Sequence, residues 1–183
     1  VYNDYNFTFN ALQNDFELKL ASGIRDLSLK QDFDLYPYTG HKLKFGGIYT
    51  YHKFTPSIVS GKQDSTVFKP NNAQIKYGHE AGLYLQDDWE INEKIKIHAG
   101  LRYSWFQQTG PYKIYQKDDN GNRTDSTVFG KGRAVKTYGG LEPRFTVRYA
   151  LDDETSVKTS ITKNFQYIHL VSNAGTTLPT DVW

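Results

Sequence analysis

Apolar residues recur at every second position through most of this chain, and the 3.6-residue period of an amphipathic helix is scarcely present. The clearest stretch runs from Ile95 to Trp105. Ile95, Ile97, Ala99, Leu101, Tyr103 and Trp105 share one face, and Lys96, His98, Gly100, Arg102 and Ser104 share the other. Before it, Ile75, Tyr77, Ala81, Leu83 and Leu85 alternate with Lys76, Gly78, Glu80, Gly82, Tyr84 and Gln86. The same alternation occurs around Leu27–Leu35, Leu43–Tyr51, Val135–Tyr149 and Val157–Tyr167, and Tyr5, Phe7 and Phe9 start one more strand. Seven strands are predicted: residues 2–10, 15–36, 41–55, 74–90, 95–108, 135–150 and 155–168. At Ser22-Gly23 the apolar parity switches from Phe16, Leu18 and Leu20 to Leu27 and Leu29, which predicts a bulge.

The connections alternate in length. Residues 37–40, 91–94 and 151–154 are tight turns, whereas 56–73, 109–134 and the segment after 168 are long. Short turns at one end and long loops at the other are the mark of a transmembrane up-and-down β-barrel, whose strands need only ~9–11 residues to cross. The short connection at 11–14 is the exception, and strands projecting far beyond the membrane would account for it. Within 109–134, Asp119-Asn120-Gly121-Asn122 predicts a type I′ hairpin turn. A calcium loop starting at Asp118 fits poorly, because Arg123 and Phe129 stand at its sixth and twelfth positions.

Composition sharpens this picture. The 183 residues include 14 Tyr and 11 Phe, suited to strands and to the aromatic girdles of membrane barrels. Tyr49, Tyr51, Tyr103, Trp105 and Tyr167 are expected in the outer girdle, Trp89 and Tyr149 in the inner one. There is no Cys, which excludes disulfides and thiol chemistry, and no Met. No secretory leader is visible at Val1. A net charge of +2, from 22 basic and 20 acidic residues, gives no general pull toward nucleic acid. The mixed signs on the inward face predict no simple ion selectivity.

No catalytic constellation stands out. Gly-x-Ser-x-Gly is missing, and His41, His52, His79, His98 and His169 show no zinc-site spacing. The chain is therefore read as no enzyme, with no metal and no cofactor. Pro143 removes a backbone donor inside a strand and predicts a local break in the ladder. Glu142 and Arg144 beside it should face the lumen in an ion-pair network. Strand glycines near tyrosines predict rings lying over glycine. Residues placed in the lumen or in substrate-facing loops are Tyr84, Arg102, Tyr112, Tyr115, Tyr138, Glu142, Arg144, Gln166 and His169.

The segment Ala81-Gly82-Leu83-Tyr84-Leu85-Gln86-Asp87-Asp88-Trp89, a short turn, then Ala99-Gly100-Leu101-Arg102-Tyr103 resembles a recurrent hairpin of TonB-dependent outer-membrane receptors, as does Leu141-Glu142-Pro143-Arg144-Phe145. The tail Phe165-Gln166-Tyr167-Ile168-His169-Leu170, with Leu178-Pro179-Thr180-Asp181-Val182-Trp183, is similar to the SusC-like and carboxypeptidase-regulatory-domain branches. The resemblance covers most of the chain. It implies an all-β, antiparallel barrel of 22 strands in a Gram-negative outer membrane, of which residues 1–183 supply about seven consecutive strands without the plug domain. It implies active uptake of a siderophore, vitamin, glycan or peptide, powered through TonB. The implied partners are outer-membrane lipid, the protein's own plug and remaining strands, TonB, and a surface SusD-like lipoprotein. The alternatives are a small outer-membrane barrel serving as anchor, adhesin or pore, and a soluble carbohydrate-binding β-sandwich.

Overall fold

The computed structural model describes residues 1–13, 16–63, 66–68, 74–168, 171–172 and 181–182. Its strands are β1 (Tyr2–Gln13), β2 (Phe16–Leu35), β3 (His41–Gln63), β4 (Thr66–Phe68), β5 (Lys76–Glu90), β6 (Ile95–Thr109), β7 (Tyr112–Lys117), β8 (Arg123–Phe129), β9 (Ala134–Ala150), β10 (Ser156–Thr162), β11 (Val171–Ser172) and β12 (Asp181–Val182). Seven of them form one sheet in the order β1-β2-β3-β5-β6-β9-β10, with β4 folded back on β3. All its pairings are antiparallel. β7 and β8 stand apart as a hairpin between β6 and β9. Much of the loop expected at 56–73 is thus strand, because β3 runs on to Gln63 and pairs with β4.

The two faces of this sheet meet different solvents. Leu27, Leu29, Phe33, Phe45, Leu83, Leu85, Leu101, Leu141, Phe145, Val157 and Ile161 lie in register on one face, and all are exposed. A β-sandwich would bury that face, yet Leu29 is 74% and Ile161 72% exposed. The opposite face holds the buried Ser22, His52, Phe54, Ser104, Phe106 and Glu142. The outward column of β6 runs from Ile95 to Trp105. At ~3.4 Å per residue and a tilt of ~45°, it rises about 24 Å, matching the ~25 Å apolar band of an outer-membrane barrel. Tyr49 and Trp105 bound the band above, at one level through the pairs Tyr49↔Ala81↔Trp105. Tyr149 and Trp89 bound it below, each paired with an isoleucine of β6.

The parity switch at Ser22-Gly23 has a different origin from the bulge expected in β2. β1 and β2 pair without a shift from Tyr2↔Leu27 to Gln13↔Phe16. What changes is the surroundings. Above Tyr51 the outward side chains become polar, with Arg25 ion-paired to Asp4 at 2.8 Å. The inward ones become apolar, with Ile24, Phe54 and Phe106 on that face. The strands leave the lipid there, so the outward face no longer needs to be apolar. The irregularity itself lies on β3, where Ala21↔Ile58 gives way to Gly23↔Thr55. The extra residue falls at Pro56-Ser57, where proline has no donor to offer.

The turns have simple chemistry. Asn92 Oδ1 accepts from the amides of Lys94 and Ile95, and Asp152 Oδ1 does the same for Glu154 and Thr155. These hydrogen bonds, that of the Glu154 amide foremost, hold the Asp152 carboxyl below the usual carboxylate range. At the β7–β8 tip the predicted type I′ geometry is replaced. The Gly121 amide donates to Asp118 O, and Gly121 adopts φ +84°. The glycine therefore follows the turn as a bulge residue instead of standing inside it.

The last strand is shorter than expected, and Pro143 explains why. β6 and β9 pair straight through Leu101↔Pro143. On the other side of β9 the final pair is Thr162↔Arg144, and the final bond runs from the Lys163 amide to Pro143 O. Pro143 has no N–H to return, so the ladder stops. Residues 163–168 turn away over the inward face of β9 and β6. The predicted break is therefore on one side of β9 only.

The two-solvent reading predicts unequal costs for one charge. Leu101→Arg places it in the middle of the lipid-facing band and should cost about 2–4 kcal/mol. Gln86→Arg, on the inward face of β5, should cost about 0.5 kcal/mol. Denaturant unfolding of the intact barrel in lipid vesicles measures both. Equal costs would mean that the two faces see the same medium.

Candidate functional site

The strap of residues 163–168 is anchored on Glu142. This carboxylate is 3% exposed, although it stands on the inward face of the sheet among charged side chains. Ser104 Oγ donates to it at 2.6 Å, and the Phe165 amide donates at 3.4 Å. Arg102 Nε and Arg144 Nη2 approach at 3.9 and 3.7 Å. The Phe165 amide, deprived of a strand partner, thus finds a side-chain acceptor instead. Arg144 Nη2 also donates to Asn164 Oδ1 at 3.0 Å, which fixes the start of the strap.

The strap carries aromatic rings onto the wall. Tyr167 OH lies 2.8 Å from Ser104 Oγ and donates to Ser104 O at 3.2 Å. Its ring stacks with Phe106 at 5.7 Å, Phe165 at 6.1 Å and Tyr138 at 6.3 Å, all within 24° of parallel. Gly140 makes this possible, because a Cβ there would enter the Phe165 ring. Gly82 does the same for Arg102, whose guanidinium lies flat against the wall. Rings also cover glycine as expected: Phe106 over Gly78, Tyr84 over Gly46 and Tyr103 over Gly139.

The sequence-based candidates fall into distinct places. Arg102, Glu142 and Arg144 form the cluster just described, and Arg102 Nε is buried without a hydrogen bond. Tyr138 faces inward on β9, paired with Phe106, and the Lys136 ammonium lies 5.3 Å from its ring centre. Tyr84 faces inward lower down and donates from its hydroxyl to Asp32. Tyr112 stands at the foot of the β7–β8 hairpin. Tyr115 is on that hairpin, its ring engaged by Lys113 at 5.0 Å and Arg123 at 4.2 Å. Gln166 donates to the strap's own Ile168 O at 3.0 Å. His169 and most of the 169–183 segment lie outside the described residues, as do 64–65 and 69–73 of the 56–73 loop.

Ser104, Phe106 and Phe54 escaped the sequence reading, although their parity placed them inward. Tyr167 is a correction. Extending β10 to 168 would have made it a lipid-facing girdle residue, and the departure at Pro143 turns it inward. The histidines have local partners. His41 Nδ1 lies 2.7 Å from Asp87, His52 Nδ1 2.8 Å from Asp26, His98 Nδ1 2.5 Å from Asp88 and His79 Nδ1 2.6 Å from Tyr49 OH. Among the described residues no group of three metal-ligating side chains could hold an ion.

Among the described residues, cavities open on the inward face at three levels. One, about 780 Å³, lies at the periplasmic end. Lys42, Lys96, His98, Arg148 and Lys158 line it against Asp88 and Glu90, so it is basic on balance. A second, about 240 Å³, lies at mid-height against Tyr84, Arg102 and Arg144, and a third, about 200 Å³, lies above the girdle among the aromatic rings.

A sheet with one lipid-facing and one lumen-facing side, short turns below and long loops above, is the wall of an outer-membrane β-barrel. The family model described as "TonB dependent receptor-like, beta-barrel" matches residues 1–178, and the chain belongs to that family. Its place is the outer membrane of a Gram-negative bacterium, and the family's business is TonB-dependent transport, not catalysis. Neither a curated protein nor a solved structure matches the chain.

The Glu142 anchor gives a direct test. Gly140→Val should push Phe165 off the wall, and Glu142→Ala should remove the acceptor for its amide. Losing one such contact, worth about 1–1.5 kcal/mol, should speed hydrogen exchange across 163–168 about tenfold. Exchange of β6 at Leu101–Ser104 should stay slow. Unchanged exchange at 163–168 in both variants would show that the strap is held by something else.

Proposed function

We propose that this chain forms wall and loops of a SusC-like active importer for a nutrient: a siderophore, vitamin, glycan or peptide. The observation that carries the reading is the inward face, where a fixed ion-pair cluster and an aromatic layer sit above a basic cavity. A passive pore needs an open, wet lumen. An importer needs a surface for its cargo and a surface for its plug.

The remaining partners follow from the same face and from the edges. The outer edges of β1 and β10, and β9 above Pro143, have no neighbour in the described sheet. Unpaired strand edges are not tolerated in lipid, so further wall strands of the parent protein pair there. The basic cavity at the periplasmic end is the natural seat for acidic groups of the plug, through which TonB acts. The SusC-like assignment is supported by the tail motif Phe165–Leu170 with Leu178–Trp183. A SusD-like lipoprotein lid above the long loops goes with it.

Uptake measurements separate the importer from the pore. Cells carrying the intact protein should take up one class from a labelled panel of cobalamin, ferric siderophore, oligosaccharide and peptide. Deleting TonB or collapsing the proton gradient should abolish that uptake. Uptake that persists without TonB, together with steady conductance in planar bilayers, would replace the importer with a passive pore.

A further inference from the structure

A row of charge crosses the cavity at the periplasmic end. Glu90, Lys96, Arg148 and Lys158 stand side by side on β5, β6, β9 and β10, through the pairs Glu90↔Lys96, Lys96↔Arg148 and Arg148↔Lys158. All four line the cavity of about 780 Å³. Arg148 shares the parity of Glu142 on β9, so the row faces inward. Like charges directly opposite one another on neighbouring strands repel. Three cations in succession, with a carboxylate at one end only, are therefore at odds with each other.

The acids of the cavity are already engaged. Lys96 Nζ lies 2.5 Å from Glu90, and His98 Nδ1 lies 2.5 Å from Asp88. Arg148 Nε donates to Ser156 Oγ at 3.2 Å, a neutral acceptor. Among the described residues, neither Arg148 nor Lys158 has a carboxylate within ion-pair distance. This opposed pair of cations is thus short of one negative charge. Geometry says from which side that charge arrives. Strands lie ~4.8 Å apart, so a further wall strand on the outer edge of β10 is about 10 Å from Arg148. An acid on that strand reaches Lys158 and leaves Arg148 unmatched. An acid standing in the lumen over the row lies between the two cations and reaches both.

We propose that Arg148 and Lys158 form a latch: they clamp one aspartate or glutamate side chain of the plug between them, and this contact keeps the periplasmic end of the lumen shut until TonB acts on the plug. The latch rests on the importer reading, which supplies the plug, and deepens it by naming the wall residues that govern closure. Removing both cations leaves the plug's acid without a partner, so the closed state loosens while the wall stays intact. Contact and closure are both measured without TonB, so the latch and the importer can fail separately.

Contact is read on the unaltered intact receptor in detergent. A zero-length carbodiimide joins an ammonium to a carboxylate only where the two touch, and mass spectrometry of the digest names both ends. Lys158 should be joined to an acidic residue of the plug. Lys158 joined to a wall strand instead, or to nothing, overturns the proposal. Closure is read as ion leak through the intact receptor in planar bilayers. Arg148→Gln combined with Lys158→Gln should raise the leak about fivefold, the loss of one partly exposed ion pair. Lys94→Gln, in the neighbouring turn and outside the cavity lining, should leave the leak unchanged. A leak that does not rise in the double variant, or that rises equally with Lys94→Gln, overturns the latch even where the cross-link forms. TonB-dependent uptake by a receptor that gives no Lys158 cross-link to the plug counts against the latch alone. A cross-linked, tightly closed receptor whose uptake ignores TonB counts against the importer alone.

Discussion

Backbone pairing in lipid is the constraint on which the rest of this structure depends. A strand that crosses a membrane has no water for its amides, so each N–H and C=O must find a neighbouring strand. Continuous ladders from β1 to β10 meet that demand, and a single residue limits it. Pro143 pairs with Leu101 on one side but has no donor for β10 on the other. The chain beyond Lys163 is thereby released, and its next amide is satisfied by the Glu142 side chain. A missing hydrogen on the wall thus becomes a layer of aromatic rings inside the lumen.

That release explains features that look unrelated along the chain. Glu142 is buried because the strap covers it. Gly140 is glycine where Phe165 must lie against the backbone. Ser104 carries a hydroxyl because it serves two partners, Glu142 and Tyr167. Arg102 and Arg144 bring positive charge to an inward carboxylate that water cannot reach well. The cluster joins β6, β9 and the strap, so the position of the upper cavity's rings is tied to an ion-pair network one level below.

Solvent, as much as backbone, decides which face of a strand is apolar. Below Tyr51 the outward face must match lipid and the inward face meets water and charge. Above it the outward face meets water, and aromatic residues gather inside. Read along β2, this exchange looks like a slip of register, yet β1 and β2 pair without interruption. The bulge that does occur lies across the ladder, beside Pro56.

The sequence by itself determined the class of fold, because a period of two and an alternation of short and long connections follow from local chemistry. Strand parity placed Arg102, Glu142, Arg144 and Tyr138 inward, and Asn92, Asp152 and Gly121 marked turns through side-chain acceptors or conformational freedom. Only the tertiary structure decided where β10 ends, which side of β9 Pro143 breaks, and that Tyr167 faces the lumen instead of lipid. The physical reason is that parity records a residue's face only while its strand stays in the ladder. Whether it stays depends on the donor that a neighbouring strand, twenty residues away, can or cannot supply.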